Sequence, residues 1–209
     1  VVLLTANRGL CGAFNANLIK EARHTIADLE ARGAQVDLHV VGRKGIGYFR
    51  YVGRAMAVQR TDITDRPTAT DAASLVDALM ADFTTGALDA VYVVHSRFNS
   101  ALSTPPHTDR VLPVAAPARA GAGRDYLLYP SADAILTELL PSYVRNAVYR
   151  ALVETAAAEQ SSRRAAMKSA TDNAGDMLNV LRRTHNRARQ ANITQEIAEI
   201  VGGAAALQD

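Results

Sequence analysis

The spacing of apolar residues divides the chain into two unlike halves. In the first half, short β-branched runs alternate with segments whose apolar residues recur every three or four positions. The runs at 1–5, 36–41 and 90–95 predict buried strands, and the spacing within 18–29 and 70–83 predicts helices. Strands and helices in this order form the βαβ pattern, so we predict a mostly parallel sheet with helices packed on it.

Turn signals separate these elements. Glycine-containing turns lie at 7–12 and 42–45, and the second leads into a short segment with aromatic residues. The stretch 97–124 is rich in Pro, Gly and Ser, which predicts loops with one edge strand near 111–112.

The second half predicts helix over most of its length. From Ser131, a predicted N-cap, to Leu207 it contains one proline, Pro141, and Gly175 is its one glycine before Gly202. Pro141 fits either a kink or the first turn of a fresh helix. If the stretch from Pro141 to Leu207 were one helix, it would be roughly 100 Å long. Helical patterns of such length favour a coiled coil.

Apolar residues in this half alternate steps of three and four, which is the period of a left-handed coiled coil. One seam runs from Met167 to Ala191, and a second runs from Ile193 to Leu207 with its phase offset. Much of the first seam is Ala and Thr, so its partner helix must approach closely. No second long helix is predicted, and the chain opens inside an apolar run without Met, so we expect that an N-terminal partner helix is absent. These patterns place an α/β domain at 1–130 and a long coiled-coil helix at 131–209.

Composition narrows the possible functions. Hydrophobic residues make up 48% of the chain and its mean hydropathy is −0.04, which is typical of a protein with a real core. No apolar run approaches the length of a membrane span, and no signal peptide opens the chain. The net charge of +2 is too small to indicate nucleic-acid binding. The single cysteine, Cys11, excludes a disulfide framework and any multi-cysteine metal site.

The turn at 8–12 lies between a predicted strand and a predicted helix, where phosphates often bind. It has neither the G-x-G-x-x-G pattern nor the Gly-Lys-Ser/Thr of a P-loop. A cysteine phosphatase loop would need an arginine six residues after Cys11, where the chain has Asn17. We therefore interpret this segment as a structural turn, and Cys11 as a small buried residue.

No other constellation indicates chemistry. The five histidines have no metal-like spacing, and no carboxylate pair or Ser/His/Asp set can be assigned. We expect no catalytic residues, no cofactor and no metal.

Charge is most concentrated on the predicted long helix. The stretch 177–195 contains no Asp or Glu but carries a basic cluster made of Arg182, Arg183, His185, Arg187 and Arg189. This cluster is either a solvated face or a collar that faces an acidic partner or nucleic acid. With aromatic residues at only 5%, stacking on single-stranded bases is disfavoured.

Several motifs, in this order, resemble those of one family, the gamma subunits of F-type ATP synthases. Residues 8–15 resemble its R-G-L-C-G-x-x-N loop, and 166–174 resemble A-M-x-x-A-T-x-N-A. Residues 186–191 resemble N-x-x-R-Q-A, and 193–204 resemble I-T-x-E-x-x-E-x-x-x-G-A. The turn at 42–45 also fits. The resemblance covers essentially the whole chain, and the joint occurrence of these motifs is highly specific.

The resemblance implies a Rossmann-like domain inserted between two long helices that form an antiparallel coiled coil. It implies a non-catalytic rotor that turns inside a ring of alpha and beta subunits and couples proton flow to ATP synthesis. Its globular part would rest on the membrane c-ring beside the epsilon subunit, at the cytoplasmic face of the energy-transducing membrane, which is the plasma membrane in a bacterium. It implies neither a bound nucleic acid nor a membrane span.

The resemblance also implies site residues. The positions that match family residues touching loops of the beta subunits are Arg163, Gln190 and Thr194. The chain departs from the family pattern at Asn7, where Asp is usual, and at two positions on the long helix, where Arg164 replaces a common Met and His185 a common Tyr. None of these departures alters an implied role.

Two other classes of protein remain as alternatives. A stand-alone α/β enzyme or sugar-nucleotide binder would predict a loop with phosphate-cradling glycines and a short tail, and the sequence shows neither. A coiled-coil nucleic-acid binder would need more net positive charge.

Overall fold

The computed structural model of the chain describes residues 1–115, 129 and 131–206, with side chains up to 203. Within these residues, five strands form one sheet. They are β1 (Val2–Leu4), β2 (His39–Val41), β3 (Val58–Arg60), β4 (Val91–Ser96) and β5 (Pro106–Leu112). Their order across the sheet is β3-β2-β1-β4-β5; the first four are parallel and β5 is antiparallel to β4. This confirms the predicted mostly parallel sheet.

Two strands differ from the sequence prediction. The edge strand expected near 111–112 is the end of the longer strand β5, which starts at Pro106. The three-residue strand β3 was not predicted, because an edge strand with two polar residues shows no apolar alternation. The rest of the predicted loop region, 116–124, lies outside the described residues.

The helices are α1 (Phe14–Ala31), α2 (Arg43–Tyr51), α3 (Ala69–Thr84) and α4 (Ala132–Ala206). Helices α1 and α3 confirm the predictions for 18–29 and 70–83. The turn predicted at 42–45 is wrong for most of its length, because Gly42 caps a helix that begins at the next residue.

The two faces of the sheet bury different helices. One face packs alternate strand residues such as Leu4 and Val93 against α3 and the first part of α4, which contributes Val144 and Val148. The opposite face packs Leu3, Val40 and Val94 against α1 and α2. The side-chain alternation of the strands supplies both layers of apolar contacts.

Helix α4 begins as predicted, with the Ser131 hydroxyl oxygen accepting a hydrogen bond from the Ala134 N–H at 3.2 Å. It runs through Pro141, so no fresh helix starts there. The chain divides into two compact units, Val1–Ala166 and Met167–Asp209, and the first part of α4 belongs to the same unit as the sheet. The domain boundary at 130/131, placed where the secondary structure changes, stays a prediction.

The second unit, Met167–Asp209, is helical to Ala206 and exposes its large apolar residues. These include Met177, Leu181, Ile193, Ile197 and Ile200, all of them members of the predicted seams. Leu207, the end of the second seam, lies outside the described residues. None of the described helices has a stretch both long and apolar enough to cross a membrane.

Candidate functional site

The turn at 8–12 is held closed by hydrogen bonds from the first turn of α1. The Asn15 side chain accepts a bond from the Ala6 N–H at 2.9 Å and donates one to the Cys11 sulfur at 3.1 Å. Leu10 adopts a left-handed backbone conformation with φ of 63°, and its side chain is 73% exposed. Cys11 beside it is buried, and burial raises the pKa of its thiol, so it does not fit the role of a nucleophile.

The amino end of α2 faces the carboxyl ends of the parallel strands, where open α/β sheets commonly bind ligands. Its first N–H groups already have partners within the protein. The Arg43 N–H donates to the Asn7 side chain at 3.1 Å, and the Lys44 N–H to the Ala6 carbonyl at 3.2 Å. The Gly45 N–H donates to the Thr5 hydroxyl oxygen at 3.0 Å. These groups are therefore not available to bind a phosphate.

A cavity of about 380 Å³ lies at the same edge of the sheet. Two carboxylates that line it are already paired with arginines. Asp65 pairs with Arg8 at 2.7 Å, and Glu159 pairs with Arg163 at 2.5 Å. The first ion pair joins two loops and the second lies within α4, and hydrogen bonds from α4 to both loops connect them into one network rather than a set of groups ready for catalysis.

Arg163, the first site residue predicted by resemblance, lies in α4 at the centre of that network. Its Nε donates to the Gly9 carbonyl at 3.3 Å, and its two terminal nitrogens donate to Gln160 at 3.1 Å and to Glu159 at 2.5 Å. Its side chain is 19% exposed. The structure thus gives Arg163 contacts inside the first unit that the sequence did not predict.

Gln190 and Thr194, the other two predicted site residues, lie in the second unit and are both exposed. They are one helical turn apart, and the Thr194 hydroxyl donates to the Gln190 carbonyl at 2.9 Å. The arginines of the basic cluster are also exposed, and none of them forms an ion pair with any residue that the structure describes. This surface can accept a partner of negative charge.

A second charged cluster lies between β4 and β5. His95 and His107 face each other in the register of the two strands, and each places its Nε2 atom 3.0 Å from a different oxygen of Asp109. Burial raises the pKa of the Asp109 carboxyl, but the hydrogen bond from His95 and the charges of both histidines outweigh it and lower the pKa overall. The sequence could not place these residues together, because β5 was predicted only around 111–112. No group of side chains in the described ranges is arranged to hold a metal ion.

Comparisons with known proteins give one consistent result. The family profile described as ATP synthase matches residues 1–207. The chain is 68% identical over 211 residues to a protein named ATP synthase gamma chain from Gemmatimonas aurantiaca, covering 100% of this chain and 73% of that protein. It is 45% identical to the ATP synthase gamma chain of Frankia casuarinae, covering 99% of this chain and 72% of that protein.

Solved structures show the same fold. A chain of the Euglena gracilis mitochondrial ATP synthase, solved with OSCP, F1 and the c-ring, aligns with a TM-score of 0.70 at 20% identity. The alignment covers 99% of this chain and 71% of that one. A chain from the central stalk and c-ring structure of the Tetrahymena thermophila enzyme aligns with a TM-score of 0.61 at 23% identity. This second alignment covers 81% of this chain and 75% of the Tetrahymena chain.

Proposed function

The chain belongs to the ATP synthase gamma-chain family, and we propose that it is the non-catalytic central-stalk subunit that couples proton flow to ATP synthesis at the beta subunits. The observation that carries the proposal is the 68% identity to a gamma chain over the whole chain. The geometry agrees, because the first N–H groups of α2 and the two carboxylates at the carboxyl ends of the parallel strands already have partners within the protein.

The exposed apolar residues of the two seams in the second unit, called the exposed seam below, support a role inside a larger assembly. Soluble proteins rarely expose large contiguous apolar patches unless these are interaction sites. We propose that the second unit packs against a partner helix and the alpha and beta subunits. The globular unit would meet the c-ring and the epsilon subunit. A peripheral position at the cytoplasmic face of the membrane belongs to the same proposal.

We propose that Arg163, Gln190 and Thr194 contact the beta subunits. Gln190 and Thr194 support this by their exposure and by their position on one face of a helix. Arg163 offers a planar fork of donors that a lysine cannot duplicate at a carboxylate.

A reconstitution experiment tests the assignment. The chain, immobilised through a tag at its start, should retain alpha and beta subunits from purified components. A variant in which the exposed seam residues Ile193 and Ile197 are both changed to Glu should retain much less. An equal result for both proteins, or retention of nucleic acid in place of the subunits, would contradict the proposal.

A graded set of variants tests the contact residues in a complete ATP synthase. Arg163→Ala or Gln190→Leu should lower ATP-driven proton pumping or assembly, and Thr194→Val should do so more mildly, because torque is spread over many contacts. Cys11→Ser should leave ATP hydrolysis nearly intact. If Cys11→Ser abolished turnover while the other variants had no effect, the enzyme alternative would have to be reopened.

A further inference from the structure

We infer that Glu159 is a positioning residue, which holds the Arg163 guanidinium against the turn at 8–12 and so sets how this surface meets a partner subunit. The part of this inference that concerns the partner rests on the proposed function. The part that concerns the turn stands on the geometry of the first unit alone.

The Glu159 carboxylate is buried, with its side chain 10% exposed. A buried carboxylate is stable in its charged form only when it is paired and hydrogen-bonded. Its partner is the Nη2 atom of Arg163 at 2.5 Å, one helical turn further along α4. The pair is therefore fixed on both sides by the same helix.

The guanidinium of Arg163 uses only some of its donors in bonds to the described residues. Three of its five N–H groups bond to Glu159, Gln160 and the Gly9 carbonyl. Two N–H groups remain without a partner among the described residues. One of them is on Nη1 and the other on Nη2, and each is a charged donor that a partner's carboxylate can accept from.

The bond to the Gly9 carbonyl connects the Glu159–Arg163 pair to the turn at 8–12. Gly9 precedes Leu10, whose left-handed backbone conformation is unfavourable for a residue with a side chain and persists only where surrounding contacts enforce it. Without Glu159, the guanidinium loses its strongest anchor and its bond to Gly9 becomes one of several alternatives. We therefore expect the turn to loosen.

Gln160 extends the network to a second loop. It accepts a bond from Arg163 and donates one to Asp65 at 3.1 Å, and Asp65 also pairs with Arg8 at 2.7 Å. Asp65 lies between β3 and α3, so one face of α4 holds two loops at the carboxyl edge of the sheet. The turn that carries the exposed Leu10 is therefore one of the two loops that α4 holds in place.

The single cysteine of the chain reports on the turn. Cys11 is buried within it, so labelling by a maleimide requires that the turn opens. Glu159 raises the pKa of the Cys11 thiol and Arg163 lowers it. If only these charges mattered, Glu159→Gln would speed labelling and Arg163→Gln would slow it.

We expect both variants of the 209-residue chain to speed labelling, by about tenfold, because both release the turn. The matched control is Glu154→Gln, which removes the carboxylate of another i,i+4 pair on α4, with Arg150, and should change the rate less than about twofold. Circular dichroism of each variant checks that it is folded. Opposite changes in the two variants, or no change in either, would overturn the inference.

The same variants in an assembled ATP synthase separate this inference from the proposed function. Faster Cys11 labelling in the chain together with weaker coupling in the complex supports both. Faster labelling with unchanged coupling refutes the proposed contact at Arg163 but leaves the positioning of the turn intact. Weaker coupling with unchanged labelling refutes the positioning role of Glu159.

Discussion

Gly45 lies in α2 where the structure leaves no room for a side chain, so Gly45→Ala tests why this helix can begin beside β1. A Cβ atom at this position would lie 2.8 Å from the Thr5 hydroxyl oxygen and 2.8 Å from a methyl carbon of Val40. Both neighbours are buried, and the same Thr5 oxygen accepts the Gly45 N–H bond at 3.0 Å. The methyl group would therefore force buried atoms apart.

The expected change in the free energy of unfolding has three parts. Overpacking a tight site costs about 1–3 kcal/mol. Losing the hydrogen bond to Thr5 costs about 1 kcal/mol. Replacing glycine by alanine inside a helix stabilises the helix by about 1 kcal/mol. The net effect is a destabilisation of about 1–3 kcal/mol.

Gly47→Ala provides the matched control in the same helix. A Cβ atom at Gly47 meets nothing within 4 Å. Only the helix-propensity gain then remains, so this variant should be more stable by about 0.5–1 kcal/mol. The two substitutions are chemically identical and two residues apart, yet they should change stability with opposite signs.

Urea unfolding followed by circular dichroism measures both changes. With an m-value of about 2 kcal/mol/M, the midpoint should fall by about 0.5–1.5 M for Gly45→Ala and rise by about 0.25–0.5 M for Gly47→Ala. A Gly45→Ala variant as stable as Gly47→Ala would refute the argument that α2 depends on this close approach.

Three further outcomes follow from the structure. Calorimetry with ATP, ADP and NAD should show no binding tighter than low micromolar (about −8 kcal/mol), because the first N–H groups of α2 are already bonded; a micromolar site would contradict this. The isolated chain should self-associate in sedimentation experiments through its exposed seam. Ile197→Glu should abolish that association while Asn192→Glu, off the seam, should not. The lowered pKa of the Asp109 carboxyl adds stability above about pH 4, and this stability is lost as the pH falls through the lowered pKa. His95→Gln removes a hydrogen bond that lowers this pKa, so the variant should be less stable than the wild type at pH 7. That gap should narrow by pH 3, and a constant gap would refute the linkage.

The accuracy of the sequence prediction follows from how strongly each element is patterned. Helix α1 could be predicted because Leu18, Ala22 and Ile26 recur at steps of four, and the structure buries all three. Helix α2 was not predicted, because it has only nine residues and two of them are glycines, which in a sequence are typical of a turn. One of them, Gly45, reflects a requirement of the tertiary structure, because a side chain there would collide with Thr5.

The candidate site was less accessible to sequence reasoning than the fold. Gln190 and Thr194 are exposed helix residues with no intrinsic signal, so only the family resemblance could single them out. Glu159 and Arg163 have the spacing of an ordinary surface pair. Their burial, and the presence of the Gly9 carbonyl beside them, depend on a contact between residues 154 positions apart. No local pattern encodes that contact.

The two parts of α4 have the same secondary structure but opposite sources of stability. The first part buries residues such as Val144 and Val148 against the sheet, so the fold itself stabilises it. The second part exposes Met177 to 66% and Ile200 to 70%, and an isolated helix gains little stability from propensity alone. We propose that an N-terminal partner helix and other subunits of the complex supply the packing contacts that such an exposed apolar surface lacks. On this proposal the stability of the second unit is coupled to assembly, because the same apolar surface provides both its packing and its contacts with the complex.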